Sequence, residues 1–365
     1  MNDLTHRQRL PAEMVFADEL ARLAEVDTAP RPPGWLLSPL AVEKFVLGDA
    51  ELELEQKFVA PRELVTRVVI SLATQRGAML VGEPGTAKSW LSELLAAAIC
   101  GDSTLVVQGG AIETVQQLVY SWNQTLLEKH GPCPEALIPG PVYRAMQDGK
   151  LVRFEEIART APALQDALLS LLSERAASVP ELPPEESTLF ARDGFNIIGT
   201  SNTSDQGVNV MSAALKRRMN FETIRPISAV EDEIGVVMRE SARLLRAAGV
   251  EVAPDLAIIS ALTTIFHELR NGQTLDGRST DRLAGAVMST AEAVAVAHAM
   301  GVYAYYYRDG AMAAQDLTDF LIGAAVKDTL PDLKRLNHYF ETEITRKDGD
   351  IWRQIHADWQ RIYRG

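Results

Sequence analysis

Cysteine is scarce in this chain: two residues in 365, Cys100 and Cys133, with no paired spacing. That scarcity excludes a disulfide framework and a thiolate zinc site, and it suits a reducing compartment, so the cytoplasm is the expected location. Histidine is rare as well, at six. The one stretch that begins like a zinc-protease helix, His267-Glu268, has Asn271 where the second histidine must stand, and a metal site of that kind is rejected. Aromatic residues make up only 6% of the chain, and no apolar run approaches the roughly 18 residues of a membrane span. The opening residues, Met1 to Arg7, lack the apolar core of a signal peptide, so no membrane association is expected. Positive charge is in deficit: 36 Lys and Arg against 49 Asp and Glu leave a net charge of -13. This argues against sequence-independent contact with nucleic acid. No internal repeat or low-complexity tract is present. Length alone sets roughly two or three domains with a substantial core.

What the chain does have is a phosphate cradle, Gly82-Glu83-Pro84-Gly85-Thr86-Ala87-Lys88-Ser89. It follows the short apolar run Ala78 to Val81 and opens a segment whose Trp90, Leu91, Leu94, Leu95 and Ala98 share one helical face. Strand, loop and helix in that order are the context the motif requires. The glycines let backbone N–H groups turn toward an anion, and the helix starting at Lys88 adds the positive end of its dipole. Lys88 is expected to reach the β and γ phosphates, Ser89 to bind Mg²⁺ through its hydroxyl, and Trp90 to close the binding set. Ala87 stands where the generic pattern has glycine, which is acceptable if the backbone there keeps a negative φ.

A second anchor is Leu151-Val152-Arg153-Phe154-Glu155-Glu156, a hydrophobic strand ending in two carboxylates. Beside a held γ-phosphate, the first acid faces the metal and its water shell and the second the attacking water. Glu155 is therefore assigned to Mg²⁺ and Glu156 to the base. Glu155 lengthens the arm relative to the usual aspartate, and Arg153 is a charge inside a strand. The buried strand Phe195 to Asn202 ends in a polar residue whose amide could orient the water. Lys216-Arg217-Arg218 is either a solvated basic helix end or the source of a finger, Arg218, that stabilises charge on a neighbouring subunit's nucleotide.

The rest sorts by pattern. Met14 to Leu23 is weakly helical until Pro30 to Gly34 breaks it; Glu51 to Glu55 is a solvated acidic alternation; Leu64 to Leu72 is a helix ahead of the cradle. Phe58 and Val59 are adenine contacts or plain core. Thr104 to Gln108 is a buried strand, and residues 176–193 form a projecting hairpin or a surface loop. From Ile227 onward the pattern is helical, with breaks at Gly249 to Pro254, Asn271-Gly272, Gly301, Gly310, Pro331 and Gly349. One helix is expected to start at Ser279 or Thr280, placing Arg282, or alternatively Arg278, within reach of the γ-phosphate. Tyr303, Tyr305, Tyr306, Tyr307, Trp352 and Trp359 are expected to pack, with a subunit or partner surface as the alternative.

The order of cradle, acid pair, polar strand end, finger and second arginine resembles the AAA+ ATPases over about residues 54 to 300. Within them, the cradle with alanine before the lysine, Pro139-Gly140-Pro141-Val142-Tyr143 and Ala214-Leu215-Lys216-Arg217-Arg218-Met219 are similar to the MoxR branch. That resemblance implies an α/β fold with a five-stranded parallel sheet flanked by helices, then an all-α lid and C-terminal helices. It also implies ATP and Mg²⁺ as cofactors, a homo-hexamer with ATP between subunits, and remodelling of a protein client, frequently with a von Willebrand factor A domain partner. The expected boundaries are an N-terminal extension over 1–53, the nucleotide-binding domain over 54–226, the lid over 227–308 and a C-terminal helical extension over 309–365. Two other functions remain open: a nucleotide-gated scaffold with weak hydrolysis, motivated by Glu155, and a nucleic-acid-associated NTPase, against which the net charge weighs.

Overall fold

The computed structural model describes residues 9–202, 209–283, 286–327 and 330–364; residues 1–7, on which the signal-peptide expectation rests, lie outside that set. The described residues divide into two compact units, one of residues 9–83 and 87–224 and the other drawn from 84–86 and 225–364.

The first unit is organised by five parallel strands: β1 (Gly77–Gly82), β2 (Val106–Gln108), β3 (Leu151–Glu155), β4 (Asn196–Asn202) and β5 (Met219–Ile224). Their order is β2-β3-β4-β1-β5. The inner strands read as near-continuous apolar runs because both faces are covered. Leu80, Leu151 and Ile198 enter the core on one face, and Met79, Val152, Phe154 and Ile197 that on the other. All the carboxyl ends of the strands point the same way, so Gly82, Glu155 and Asn202 finish at one edge of the sheet. The order also puts β4 between the cradle strand and the acid strand, as the role suggested for Asn202 needs.

On the first face lie α1 (Ala12–Val15), α2 (Ala17–Val26), α3 (Pro39–Leu47), α4 (Arg62–Leu72) and α5 (Lys88–Cys100). Phe16, Leu23, Val42 and Phe45 are buried together with Leu91, Leu94 and Leu95 of α5. The described part of the segment expected as an N-terminal extension thus shares the core of the nucleotide-binding unit. Lys57 ties it down: buried, it bonds Glu19 at 2.5 Å and the carbonyls of Phe45 and Glu55 at 3.0 and 2.9 Å. Phe58 is also core, at 5% exposure. Residues 176–193 form the hairpin, Ala176–Ser178 paired antiparallel with Thr188–Phe190.

The second unit is helical: α6 (Val230–Ala247), α7 (Leu256–Asn271), α8 (Thr290–Tyr307), α9 (Leu317–Ala325), α10 (Leu330–Thr342) and α11 (Asp350–Arg364). Phe266, Val296, Leu321, Phe340 and Trp359 belong to one core, with Phe340 and Trp359 stacked at 4.3 Å. The glycine break at 310 therefore does not separate a lid core from a C-terminal core. Two expectations are corrected. No helix starts at Ser279 or Thr280, because Thr274 and Arg278 close a loop onto the end of α7 through paired backbone and hydroxyl bonds of 2.8 and 2.9 Å. The next helix begins after Ser289, whose capping box with Glu292 satisfies the first-turn donors. Of the four tyrosines, Tyr303 packs on Phe320, but Tyr305, Tyr306 and Tyr307 are exposed, while Ala304 of the same turn is the residue that enters the core.

A buried ionic group binds α6, α7 and the start of α8. Glu233 accepts from Arg270 at 2.6 and 2.8 Å and from the Thr290 hydroxyl at 2.6 Å, with His267 Nδ1 at 2.9 Å. Burial alone would raise the Glu233 carboxyl, but these bonds and the Arg270 charge overcome it and hold the pKa at about 2. The folded value lies below the unfolded one, so the stabilisation is present above pH ~4.5 and is lost as pH falls toward ~2. Urea unfolding followed at the helical unit should show a loss of roughly 3 kcal/mol across that window in the natural protein. Glu233→Gln should start several kcal/mol lower and flatten the acid limb. An identical acid limb in the variant would remove this group as its cause.

Candidate active site

The cradle leaves β1 at Gly82 and enters α5 at Lys88. Its turn needs left-handed backbone at Gly85 (φ 76°) and at Ala87 (φ 60°, ψ 29°). The negative φ expected for Ala87 is thus not found: the loop curls too tightly before the helix to allow it, and the alanine carries the strain. Ala87 offers no side-chain acceptor to the first turn of α5. That turn suits an anion rather than an internal cap. Lys88 is 6% exposed, and its ammonium donates to the loop carbonyls of Gly82 at 3.2 Å and Glu83 at 2.6 Å. Trp90 turns its indole the other way, donating to the Lys57 carbonyl at 3.1 Å and lying 6.2 Å from the Phe16 ring. Any part it takes in binding falls to its backbone N–H.

Across from the first turn of α5 stands the end of β3. Glu155 is 4% exposed and takes hydrogen bonds from Ser89 (2.5 Å) and Thr200 (2.7 Å) on Oε2, and from Ser92 (2.8 Å) and Arg153 (3.0 Å) on Oε1. Ser89 and Glu155, chosen from sequence as the magnesium pair, therefore meet. Hard oxygen donors, one hydroxyl and one carboxylate beside a phosphate loop, fit a magnesium ion that keeps most of its water. Glu156 follows in left-handed conformation (φ 53°), its N–H donating to Thr200 Oγ1 at 3.0 Å. This turns its carboxylate out of the sheet, half exposed, where Arg159 pairs with it at 2.9 Å. Asn202 sits half-buried directly beside Gly82 in parallel register.

Arg218 lies elsewhere. Arg218 immediately precedes β5, and its carbonyl receives the N–H of Gly77 at the start of β1. The cradle is at the other end of that six-residue strand, about 17 Å away. Its guanidinium binds Ser173 Oγ and the Ala214 carbonyl. Arg218 therefore cannot serve the cradle of its own chain. Arg282 is exposed in the helical unit and donates to the Asn271 carbonyl at 2.9 Å. Sequence reasoning missed Ser92 and Thr200. Ser92 stands three residues after Ser89, on the same helical face, and Thr200 two before Asn202, on the same strand face; both spacings were legible.

A loop of this build between a buried parallel strand and a helix, faced by a strand ending in two acids, defines a P-loop ATPase of the AAA+ class. A family model described as AAA domain (dynein-related subfamily) matches residues 77–219, and one described as YehL-like AAA+ ATPase C-terminal domain matches residues 231–363. The uncharacterized protein YehL of Escherichia coli (strain K12) is 50% identical over 361 residues, covering 98% of this chain and 97% of YehL. The chain belongs to the YehL family of AAA+ ATPases and is an ATP-hydrolysing enzyme. The uncharacterized protein SH1500 of Staphylococcus haemolyticus is 25% identical over 53% of this chain and 67% of its own length. Among solved structures, NtrX from Brucella abortus in complex with ATP has a TM-score of 0.49 at 15% identity, covering 85% of this chain and 69% of NtrX. The Thermotoga maritima RuvB Holliday junction branch migration motor has 0.46 at 13%, covering 80% of this chain and 79% of RuvB.

The strain at Ala87 is measurable. Ala87→Gly should raise the unfolding free energy of the sheet unit by roughly 0.5 to 1 kcal/mol, since left-handed backbone is costly for alanine and free for glycine. A loss of stability in urea titration would contradict the loop conformation.

Proposed function

We propose that this AAA+ ATPase works in the manner of the MoxR branch: a cytoplasmic homo-hexamer that hydrolyses ATP at subunit interfaces to remodel or assemble a protein client, beside a partner bearing a von Willebrand factor A domain. What supports the ATP chemistry is the 2.5 Å contact between Ser89 and Glu155 with Lys88 held over the same loop. The MoxR assignment rests on residues 139–143 and 214–219. Lys88 would exchange its two carbonyls for phosphate oxygens. Ser89 and Glu155 would hold magnesium, which neutralises charge on the phosphates. Glu156 takes a proton from the attacking water as its oxygen bonds to the γ-phosphorus and ADP leaves, while Asn202 orients that water. Arg218, too far from its own cradle, would stabilise a neighbour's nucleotide, and Arg282 is assigned to the γ-phosphate from the helical unit.

A second reading is a nucleotide-gated scaffold with weak turnover. It is favoured by the Glu156–Arg159 ion pair, which must open before Glu156 can act as a base.

Purified protein should release phosphate from ATP with magnesium. Lys88→Ala should lose nucleotide binding, and Glu156→Gln should keep it while kcat falls by about 10² to 10⁴. Mixing Arg218→Ala with Glu156→Gln protein should recover turnover that neither shows alone; mixtures no better than their separate components contradict a shared interface. A natural protein that binds ATP with magnesium but releases little phosphate, with partner recruitment kept in Glu156→Gln and lost in Lys88→Ala, would favour the scaffold reading.

A further inference from the structure

Arg153 is the charge that does not belong in its strand. It is 7% exposed in β3, between apolar neighbours that form the inner sheet. A guanidinium survives such burial only with its donors engaged. Nε donates to Ser92 Oγ at 2.8 Å, Nη1 to the Ser103 carbonyl at 2.9 Å, and Nη2 both to the Ser89 carbonyl at 2.9 Å and to Glu155 Oε1 at 3.0 Å. Glu93, a second buried carboxylate, lies 3.7 Å from Nη1 and is also paired with Arg9 at 2.6 Å.

Two residues in that set matter most. Ser89 and Glu155 are the pair proposed to hold magnesium, and the role of Arg153 rests on that reading. Arg153 and Ser92 occupy Oε1 of Glu155, which leaves Oε2 as the oxygen that faces Ser89. One rigid fork thereby grips the backbone of the first turn of α5 and the carboxylate at the end of β3. A glutamate is one methylene longer than an aspartate and has an extra torsion to fix, and the fork supplies that restraint. Charge points the same way, because Arg153 sets its cation against Glu155 at 3.0 Å, while Glu93 has a closer partner in Arg9.

We infer that Arg153 is a positioning residue of the magnesium site: it fixes which oxygen of Glu155 faces Ser89, and the metal-dependent part of nucleotide binding depends on it. A merely structural role would weaken every form of binding alike. The longer acid and the charged strand are then one device.

The test is calorimetric titration of the full chain with ATP, in EDTA and across a series of magnesium concentrations, for the natural protein, Arg153→Lys and Arg153→Met. Lysine keeps the charge without the fork, and methionine removes both. The EDTA affinity, which relies on the cradle, should stay within about twofold in both variants, while the magnesium concentration for half the metal effect rises at least tenfold. Should Arg153→Met fail to fold by circular dichroism, Arg153→Lys and Ser92→Ala, which removes the hydroxyl under Nε, carry the comparison. An unchanged magnesium midpoint overturns the inference, and so does an equal loss with and without magnesium. A natural protein whose ATP binding ignores magnesium overturns the site assignment itself, and this inference with it.

Discussion

The short approach of the Ser89 hydroxyl to the Glu155 carboxylate is the contact on which the proposed chemistry rests. It joins two segments that are far apart in the chain, the first turn of the helix after the cradle and the end of the acid strand. A parallel sheet makes the meeting possible, because all its strands deliver their carboxyl ends to one edge. The strands on either side of β3 and β4 keep both in register, and Thr200 serves the two acids at once, donating to Glu155 and accepting from the Glu156 backbone. Since Glu155 is buried, each of its bonds is made in a weak dielectric and would leave a costly orphan if lost.

Much of this was legible in the chain. The cradle, the acid pair and the polar end of β4 each combine an apolar strand with a residue type whose chemistry has few other uses at that position. The five-stranded sheet was implied by the resemblance to the AAA+ ATPases, while its strand order and the register of Asn202 beside Gly82 come from the structure. Local backbone strain was less legible. Ala87 looks as though it should avoid left-handed space, and only the tightness of the loop shows that it cannot. Ser279-Thr280 has the composition of a helix cap, yet Thr280 donates its N–H to the Gly272 carbonyl and its hydroxyl to the Glu268 carbonyl at the end of α7. The true cap, Ser289 with Glu292, has the same signature a few residues later. Arg153 could be seen as an anomaly but not explained, because its partners come from α5 and the Ser103 turn, distant in sequence.

The second unit obeys a different logic. Among its buried acids are Glu233 and Glu268, each satisfied by residues from other segments: Arg270, His267 and Thr290 for the first, Tyr339 and Lys347 for the second. Such groups fix the mutual placement of helices at the expense of acid sensitivity. His267-Glu268, which begins like a metal motif, is part of that scaffolding. The exposed tyrosines at the end of α8 lie outside it.

The central claim is that residues 82–89 grip a triphosphate against the end of β3. A structure of the protein with magnesium and a non-hydrolysable ATP analogue tests it most directly. The account predicts the β and γ phosphates inside the cradle, Lys88 moved from the Gly82 and Glu83 carbonyls onto them, and the metal on Ser89 with Glu155 at its water shell. Nucleotide bound elsewhere, with Lys88 still on its own loop, would contradict it.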